Sequence, residues 1–316
     1  MTERLEYTDL IVEKKYPIGY ITINRPEKRN ALSSTATGSI PQLCQAYMDM
    51  ADDPEIRVFI LKGAGDCFCA GFDMSQYDNS YWKPGESPLR KGREKEVWAA
   101  ITMGNGDNPE SRYRDPIFWQ ELWNNPKPSI ALVQSFCLGA GMANINSCDI
   151  VIATPDAVFA YPPIRYGASL WPGALQPWLL GLRRAMDMAM TGRFITAQEA
   201  YDCGLITKIV PEDKLLEEGI KYAESVAKVP PLTNYFSKLA LHNYYEGLGI
   251  KSWFAYAQTT CLVTEQSSLP GHYWDFFDIV RQKGFSTAYK EQRDNWGYDD
   301  PVLNEAVARL RAKKAQ

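Results

Sequence analysis

The segment from Ser129 to Cys148 places the tightest constraint on what this chain can fold into. An apolar stretch, Ser129 to Gln134, meets a turn of small residues, Leu138 to Gly141, and then a run with helical spacing that continues through Cys148. A strand that hands over to a helix through glycines is the unit of α/β architecture, because small residues let the backbone turn sharply at the end of a sheet. Earlier in the chain the same rhythm appears: strand-like runs at Leu10 to Lys14, Ile18 to Asn24 and Val58 to Lys62 enclose a helical pattern from Thr35 to Ala51. Two more strands are predicted at Ile150 to Ala153 and Val158 to Tyr161, and from Ala174 onward helical spacing dominates, ending in an amphipathic tail from Val302 to Lys314.

A second junction of small residues lies at Ala70-Gly71-Phe72-Asp73. Glycines in such loops allow a substrate oxygen to come close to backbone N–H groups, and two donors from separate loops make an oxyanion hole. The alternative is close packing of helix on sheet, which uses the same residues. Rival enzyme signatures are missing. A dinucleotide fingerprint built on Gly139 and Gly141 needs a third small residue where Asn144 stands, and neither a GxxxxGK[ST] nor a GxSxG run occurs.

Charge narrows the partners. In 316 residues there are 34 basic and 38 acidic side chains, a net charge of −4, so no basic surplus is available to neutralise a nucleic acid backbone. The charged start MTERLEYTDL has no apolar core of a signal peptide, and no long uncharged apolar run follows, which predicts a cytoplasmic protein. Seven cysteines, an odd number without paired spacing, are expected to be reduced and mostly buried. The two histidines, His242 and His272, sit in no metal-ligand motif, so no metal is expected.

From Ser75 to Asn125 the chain is loaded with Trp, Tyr, Arg, Gly and Pro, including Tyr81, Trp82, Trp98, Tyr113, Trp119 and Trp123. This reads as an insertion whose aromatic density argues against disorder, serving either as a lid over an acyl pocket or as an oligomer contact.

Four runs now stand in order: NRPEKRNALS at Asn24 to Ser33, GAGDCFCAGFDM at Gly63 to Met74, KPSIALVQSFCLGAGMA at Lys127 to Ala143 and MTGRFITAQEAYDCGLITKIVP at Met190 to Pro211. Together they resemble the crotonase (enoyl-CoA hydratase/isomerase) superfamily over the stretch from about Tyr7 to about Trp296. The resemblance implies an α/β fold with a ββα-spiral core over about residues 1–210. A helical region, 211–316, would follow, closing the site and contributing to a trimer or hexamer. It implies an acyl-CoA substrate, with coenzyme A entering as part of the thioester and no other cofactor. The N–H groups of Phe72 and Ala140 match the family's oxyanion positions, and Gly71 and Gly139 belong to the same two loops. Coenzyme A would lie along Lys28, Arg29, Ala31, Leu32, Ala70 and Asp73, with Lys28 and Arg29 placed to meet phosphates.

Two departures from the family pattern bear on the reaction. The position of one usual catalytic glutamate, three residues after Ala140, holds Ala143, and the position of the other holds Pro163. Syn addition of water to an enoyl thioester needs one group to activate water and another to deliver a proton. Tyr161, beside Pro163, is the first substitute, because a phenol can donate a proton to an enolate. Asn144, Arg165, Tyr166, Ser169 and Trp171 are further polar or aromatic neighbours in sequence. Glu265, His242 and His272, in the helical part, are expected to serve structure, as is Asp73 in part, as a loop–helix cap. A hydratase/isomerase-like lyase is thus the first reading, a hydrolase that opens a cyclic β-keto thioester the second, and a non-catalytic CoA-binding protein the third.

Overall fold

The computed structural model describes residues 6–33, 35, 37–74, 118–170, 173, 176–265, 273–296 and 299–315. Among the described residues nine strands form two sheets. Strands β1 (Leu10–Lys15), β2 (Ile18–Ile23), β3 (Val58–Gly63), β4 (Ser129–Val133), β6 (Ile150–Ala153) and β9 (Lys208–Ile209) lie side by side in the order β1-β2-β3-β4-β6-β9. Only β1 runs antiparallel to its neighbour; the other pairs are parallel. A smaller sheet joins β5 (Phe136–Leu138), β7 (Val158–Ala160) and β8 (Ile195–Thr196).

Strand sequences explain the layering. Every residue of IGYITI in β2 is buried, as expected of a parallel strand covered on both faces. Alternation sorts the side chains into two cores. Ile21, Ile23, Phe59, Leu61, Ala131, Val133, Val151 and Ala153 enter one cluster, whereas Ile18, Tyr20, Val58, Ile60, Ile130, Leu132 and Ile152 enter another. Helices α1 (Ser39–Asp52), α2 (Phe118–Trp123) and α3 (Ala140–Ser147) pack on the first face. After α4 (Pro177–Leu180), α5 (Leu182–Thr191) and α6 (Ala197–Asp202), helix α7 (Leu215–Lys228) covers the second face with Leu215, Ala223 and Ala227. Gly219 lets α7 approach closely, since a Cβ there would stand 2.7 Å from Leu132 Cδ1.

The rest is helical: α8 (Pro231–Gly247), α9 (Ile250–Glu265), α10 (Tyr273–Lys283), α11 (Phe285–Trp296) and α12 (Pro301–Ala315). These elements reach back to the sheets. Phe254 of α9 meets Trp119 of α2 with ring centroids 4.0 Å apart, and the side chains of Ala306 and Leu310 in α12 join Val158 and Ala160 in a separate apolar cluster. Asp300, at the head of α12, accepts from Arg165 at 2.8 Å, from the Phe194 N–H at 3.0 Å and from the Leu303 N–H at 3.1 Å.

Two sequence expectations need correction. Helix α1 starts at Ser39, four residues later than the helical spacing suggested, because Gly38 precedes it in extended conformation and Ser39 Oγ accepts the Ser33 N–H at 2.6 Å. A strand was expected over Val158 to Tyr161; β7 stops one residue earlier, at Ala160, and belongs to the smaller sheet. Of the stretch from Ser75 to Asn125, residues 75–117 lie outside the described residues, and with them the aromatic side chains Tyr81, Trp82, Trp98 and Tyr113. No described helix is long and apolar enough to cross a membrane.

Candidate active site

Backbone hydrogen bonds build the site from three segments. Residues 25–33 lie alongside residues 69–73: Leu32 N donates to Gly71 O at 2.7 Å and Leu32 O accepts from Asp73 N at 2.8 Å. Because Leu32 bonds to the residues on either side of Phe72 in a parallel bridge, the peptide groups of Phe72 itself point away from Leu32. The Ala70 N–H donates to Arg29 O at 3.0 Å, which fixes the other end of the pairing. On the opposite flank Cys69 bridges Cys137, with Cys69 N to Phe136 O at 3.0 Å and Leu138 N to Cys69 O at 2.9 Å. The AGFD loop is therefore held between the first motif and the strand that leads into α3.

Glycine geometry brings the two loops into contact. Gly71 has φ +99° and a Cβ there would sit 3.2 Å from Leu138 O, while Gly139 has φ +52° and its Cβ would sit 3.6 Å from Gly71 Cα. Both backbones use the left-handed half of φ space that glycine tolerates without strain. A third glycine, Gly141, brings α3 against Cys69, whose Cβ and O would each be 3.0 Å from an added Cβ.

Ala140 is the first residue of α3, and Gly139 offers no side-chain cap. The first N–H groups of a helix have no partner within it, so the Ala140 donor points out of the helix end with the favourable sign of the helix dipole. Gly139 N donates to Ala160 O at 3.0 Å, which pins this turn to the end of β7, one residue before Tyr161. Chemically, N–H donors of two loops in contact, one at a helix start, can hold an oxygen that gains negative charge.

The remaining predicted residues divide clearly. Lys28 and Arg29 are exposed on the turn after Pro26, with Arg29 in left-handed conformation, while Ala31 and Leu32 are buried behind them. Asp73 is 5% exposed and its carboxylate accepts from Arg25 at 2.8 Å; Arg25 also faces Asp9 at 3.3 Å. Arg25 went unnoticed in the sequence, although it stands inside the first motif, because its partner is 48 residues away. Asn30 was equally silent: its amide donates to Ala64 O at 2.8 Å and Cys67 O at 2.6 Å, which ties the first motif to the second.

Tyr161 is buried and its hydroxyl donates to Ser169 O at 3.1 Å; the Ser169 N–H in turn donates to Thr264 Oγ1 of α9 at 3.0 Å. Tyr166 stacks on Phe276 with centroids 4.7 Å apart. The Arg165 guanidinium is paired with Asp300, which makes it a strut between the turn after Tyr161 and the C-terminal helix. Asn144 Oδ1 accepts from the Tyr47 hydroxyl at 2.9 Å. His242 stacks on Trp123 with centroids 3.9 Å apart, and burial together with nearby Lys238 lowers its pKa from the ordinary 6.5 to about 4. It is neutral at physiological pH and belongs to the α2–α8 contact. Trp171 and His272 lie outside the described residues, as does the side chain of Glu265.

Ala143 is fully buried. Its Cβ lies 3.3 Å from the point a Gly173 Cβ would occupy, and Trp119 Cδ2 lies 3.5 Å from that same point. Gly173 therefore packs on this methyl, and the Trp119 ring lies against Gly173. Burial pushes the Cys67, Cys69 and Cys148 thiols up to about 12 and the Cys137 thiol well above its usual value, so these four stay protonated at neutral pH. Among the described residues no group of three or more His, Cys, Asp or Glu could hold a metal ion.

Comparison with known proteins identifies the family. The model of the enoyl-CoA hydratase/isomerase family matches residues 13–106 and 99–261. A protein of Dictyostelium discoideum described as "Probable enoyl-CoA hydratase, mitochondrial" is 31% identical over 236 residues, 74% of this chain and 75% of that one. The "2,3-dehydroadipyl-CoA hydratase" of Escherichia coli K12 is 30% identical over 241 residues, 76% of this chain and 84% of that one. Among solved structures, an enoyl-CoA hydratase/isomerase from Xanthobacter autotrophicus Py2 superposes with a TM-score of 0.77 at 24% identity, covering 92% of this chain and 99% of that one, a likeness of fold. A probable enoyl-CoA hydratase from Mycobacterium smegmatis does so with a TM-score of 0.66 at 27% identity, covering 82% and 97%. With the crotonase fold, the paired glycine loops and the family match in agreement, this chain belongs to the enoyl-CoA hydratase/isomerase family.

Proposed function

We propose that this protein binds an acyl-CoA thioester with the thioester oxygen between the N–H groups of Phe72 and Ala140, and that it stabilises the enolate formed there. The single observation that carries this reading is the contact of Gly71 with Gly139, which sets two donor-bearing loops against each other at the start of α3. A device of this kind is worth about 2.7–4 kcal/mol per donor where it has been tested. Lys28 and Arg29, exposed beside the AGFD loop, are proposed to meet the phosphates of coenzyme A, and Ala31, Leu32 and Ala70 to line its path.

The first reading of the chemistry is addition of water to an enoyl thioester, or migration of its double bond. In the hydration, the water oxygen bonds to C3 as one of its O–H bonds breaks, the C2–C3 π electrons move onto the thioester oxygen as an enolate, and C2 then takes a proton, so that the proton water releases makes good the one delivered to C2. With Ala143 and Pro163 at the two usual glutamate positions, Tyr161 is the proposed proton donor. Replacing Tyr161 by Phe is expected to lower kcat by about 10², with the melting temperature lowered by no more than a few degrees through loss of the bond to Ser169 O. Unchanged kcat would return the hydroxyl to a structural role, in which it donates to Ser169 O.

A second reading, hydrolysis of a C–C bond in a cyclic β-keto thioester, is favoured by the loss of the carboxylates that hydration uses. There the water oxygen bonds to the ketone carbon as one of its O–H bonds breaks, the bond from that carbon to C2 then breaks to leave a carboxyl group, and its electrons pass to the thioester enolate, whose C2 takes a proton in place of the one water released. Incubating the protein with linear enoyl-CoAs, cyclic enoyl-CoAs and cyclic β-keto-CoAs, followed by mass spectrometry, separates the two. Gain of water or a shifted double bond in an enoyl-CoA supports the first, and a ring-opened dicarboxylic thioester the second. Binding of every thioester without turnover would overturn both in favour of a CoA-binding role.

A further inference from the structure

The two proposed oxyanion donors are backed in different ways. Behind the Ala140 N–H stands α3: the Gly139 carbonyl of the same peptide group accepts from the Ala143 N–H at 3.3 Å, so the helix polarises that donor. Phe72 belongs instead to the bridge between Leu32 and the AGFD loop. Behind its N–H runs a file of hydrogen bonds that begins on a cation. Arg25 Nη1 donates to Ala31 O at 2.5 Å, and the Leu32 N–H of that same peptide group donates to Gly71 O at 2.7 Å. Gly71 O in turn shares its peptide group with the Phe72 N–H. In a trans peptide the C=O and the N–H point in opposite directions, so each carbonyl faces the donor behind it and each N–H faces onward. The order is guanidinium, Ala31–Leu32 peptide, Gly71–Phe72 peptide and then whatever the Phe72 N–H meets.

Two carboxylates hold the guanidinium in place. Its side chain is 14% exposed, Nη2 donates to Asp73 at 2.8 Å and Nε faces Asp9 at 3.3 Å, which leaves Nη1 of the planar fork on Ala31 O. Ala31 and Leu32 are buried, so the bonds between them and the AGFD loop are shielded from water. Bonds aligned head to tail strengthen one another by about 10–30% each, and a charged donor makes a bond roughly twice as strong as a neutral one. Because Asp9 and Asp73 offset the charge of Arg25, what reaches Phe72 is bond polarisation and a fixed direction rather than the field of a bare cation.

We infer that Arg25 is a positioning residue for the reaction: through the Ala31–Leu32 and Gly71–Phe72 peptide groups it aims and polarises the Phe72 N–H. This rests on the proposed reading that the Phe72 N–H meets the thioester oxygen. The test is difference infrared spectroscopy of butanoyl-CoA, isotope-labelled at the thioester carbonyl carbon, bound to the parent protein, to Arg25→Gln and to Arg25→Lys, with a thermal melt of each. In the parent the carbonyl stretch is expected below that of butanoyl-CoA in solution. Arg25→Gln, which has no charge to start the file, is expected to lose about 10–30% of that shift. Arg25→Lys keeps a cation beside the buried Asp73 and so protects the fold, but a point charge cannot serve Asp73 and Ala31 O as a planar fork does; a smaller loss in the same direction is expected. Arg25→Gln decides the matter if its melt shows a folded protein, and Arg25→Lys decides it otherwise. The parent frequency in the deciding variant, whatever its melting temperature, would overturn the inference and leave Arg25 a strut between the first two motifs. If the parent bound no butanoyl-CoA, or bound it with the stretch unshifted, the oxyanion reading itself would fall, a result distinct from loss of the Arg25 effect.

Discussion

Replacing Ala140 by proline is expected to lower kcat/KM by at least about 10² to 10³ while the protein stays folded. Proline is well suited to the first position of a helix, where the N–H it lacks has no helical partner. The preceding residue is normally restricted, but Gly139, at φ 52° and ψ −111°, holds the mirror image of the extended conformation and has no Cβ to meet the proline ring. The substitution thus removes one donor and places Cδ where the amide hydrogen pointed. Steady-state kinetics on whichever thioester the panel identifies, beside a thermal melt, gives the answer. A melting temperature near that of the parent with undiminished kcat/KM would exclude the Ala140 N–H from the reaction.

The largest effect on stability is expected from Asp300→Ala. Arg165 and Asp300 have side chains only 7% and 5% exposed, and the carboxylate also serves the Phe194 N–H and the Leu303 N–H at the start of α12. Without Asp300 the Arg165 guanidinium stays buried without its counter-charge, a loss of about 3–5 kcal/mol where one partner of such a pair is deleted. The helix also loses its capping oxygen. A fall in melting temperature of roughly 10 °C follows for a chain of this size, and calorimetry measures it. Loss of less than about 1 kcal/mol would mean that water reaches the guanidinium and the strut is dispensable.

The strands were legible because parallel strands covered on both faces are largely apolar, and β2, β3, β4 and β6 are written that way apart from Thr22, Lys62 and Ser129. Helix α3 was legible from its glycine entry and small residues. The smaller sheet was not, since two- and three-residue strands such as Ile195–Thr196 and Phe136–Leu138 carry no measurable alternation. In the site, small residues marked both loops, and the resemblance to the family pointed to the individual N–H groups at Phe72 and Ala140. What local patterns could not express was long-range pairing. Arg165 invited a chemical reading until Asp300, 135 residues later, proved to be its partner. Arg25 with Asp73 and Trp119 against Gly173 are contacts of the same kind, made by elements that the chain brings together only in three dimensions.

The most direct test of the central claim is a crystal structure of the protein with a bound acyl-CoA, read at the thioester oxygen. The account predicts that oxygen about 2.7–3.1 Å from both the Phe72 and the Ala140 nitrogen atoms. A thioester oxygen bonded elsewhere, with the coenzyme away from the contact between Gly71 and Gly139, would contradict it.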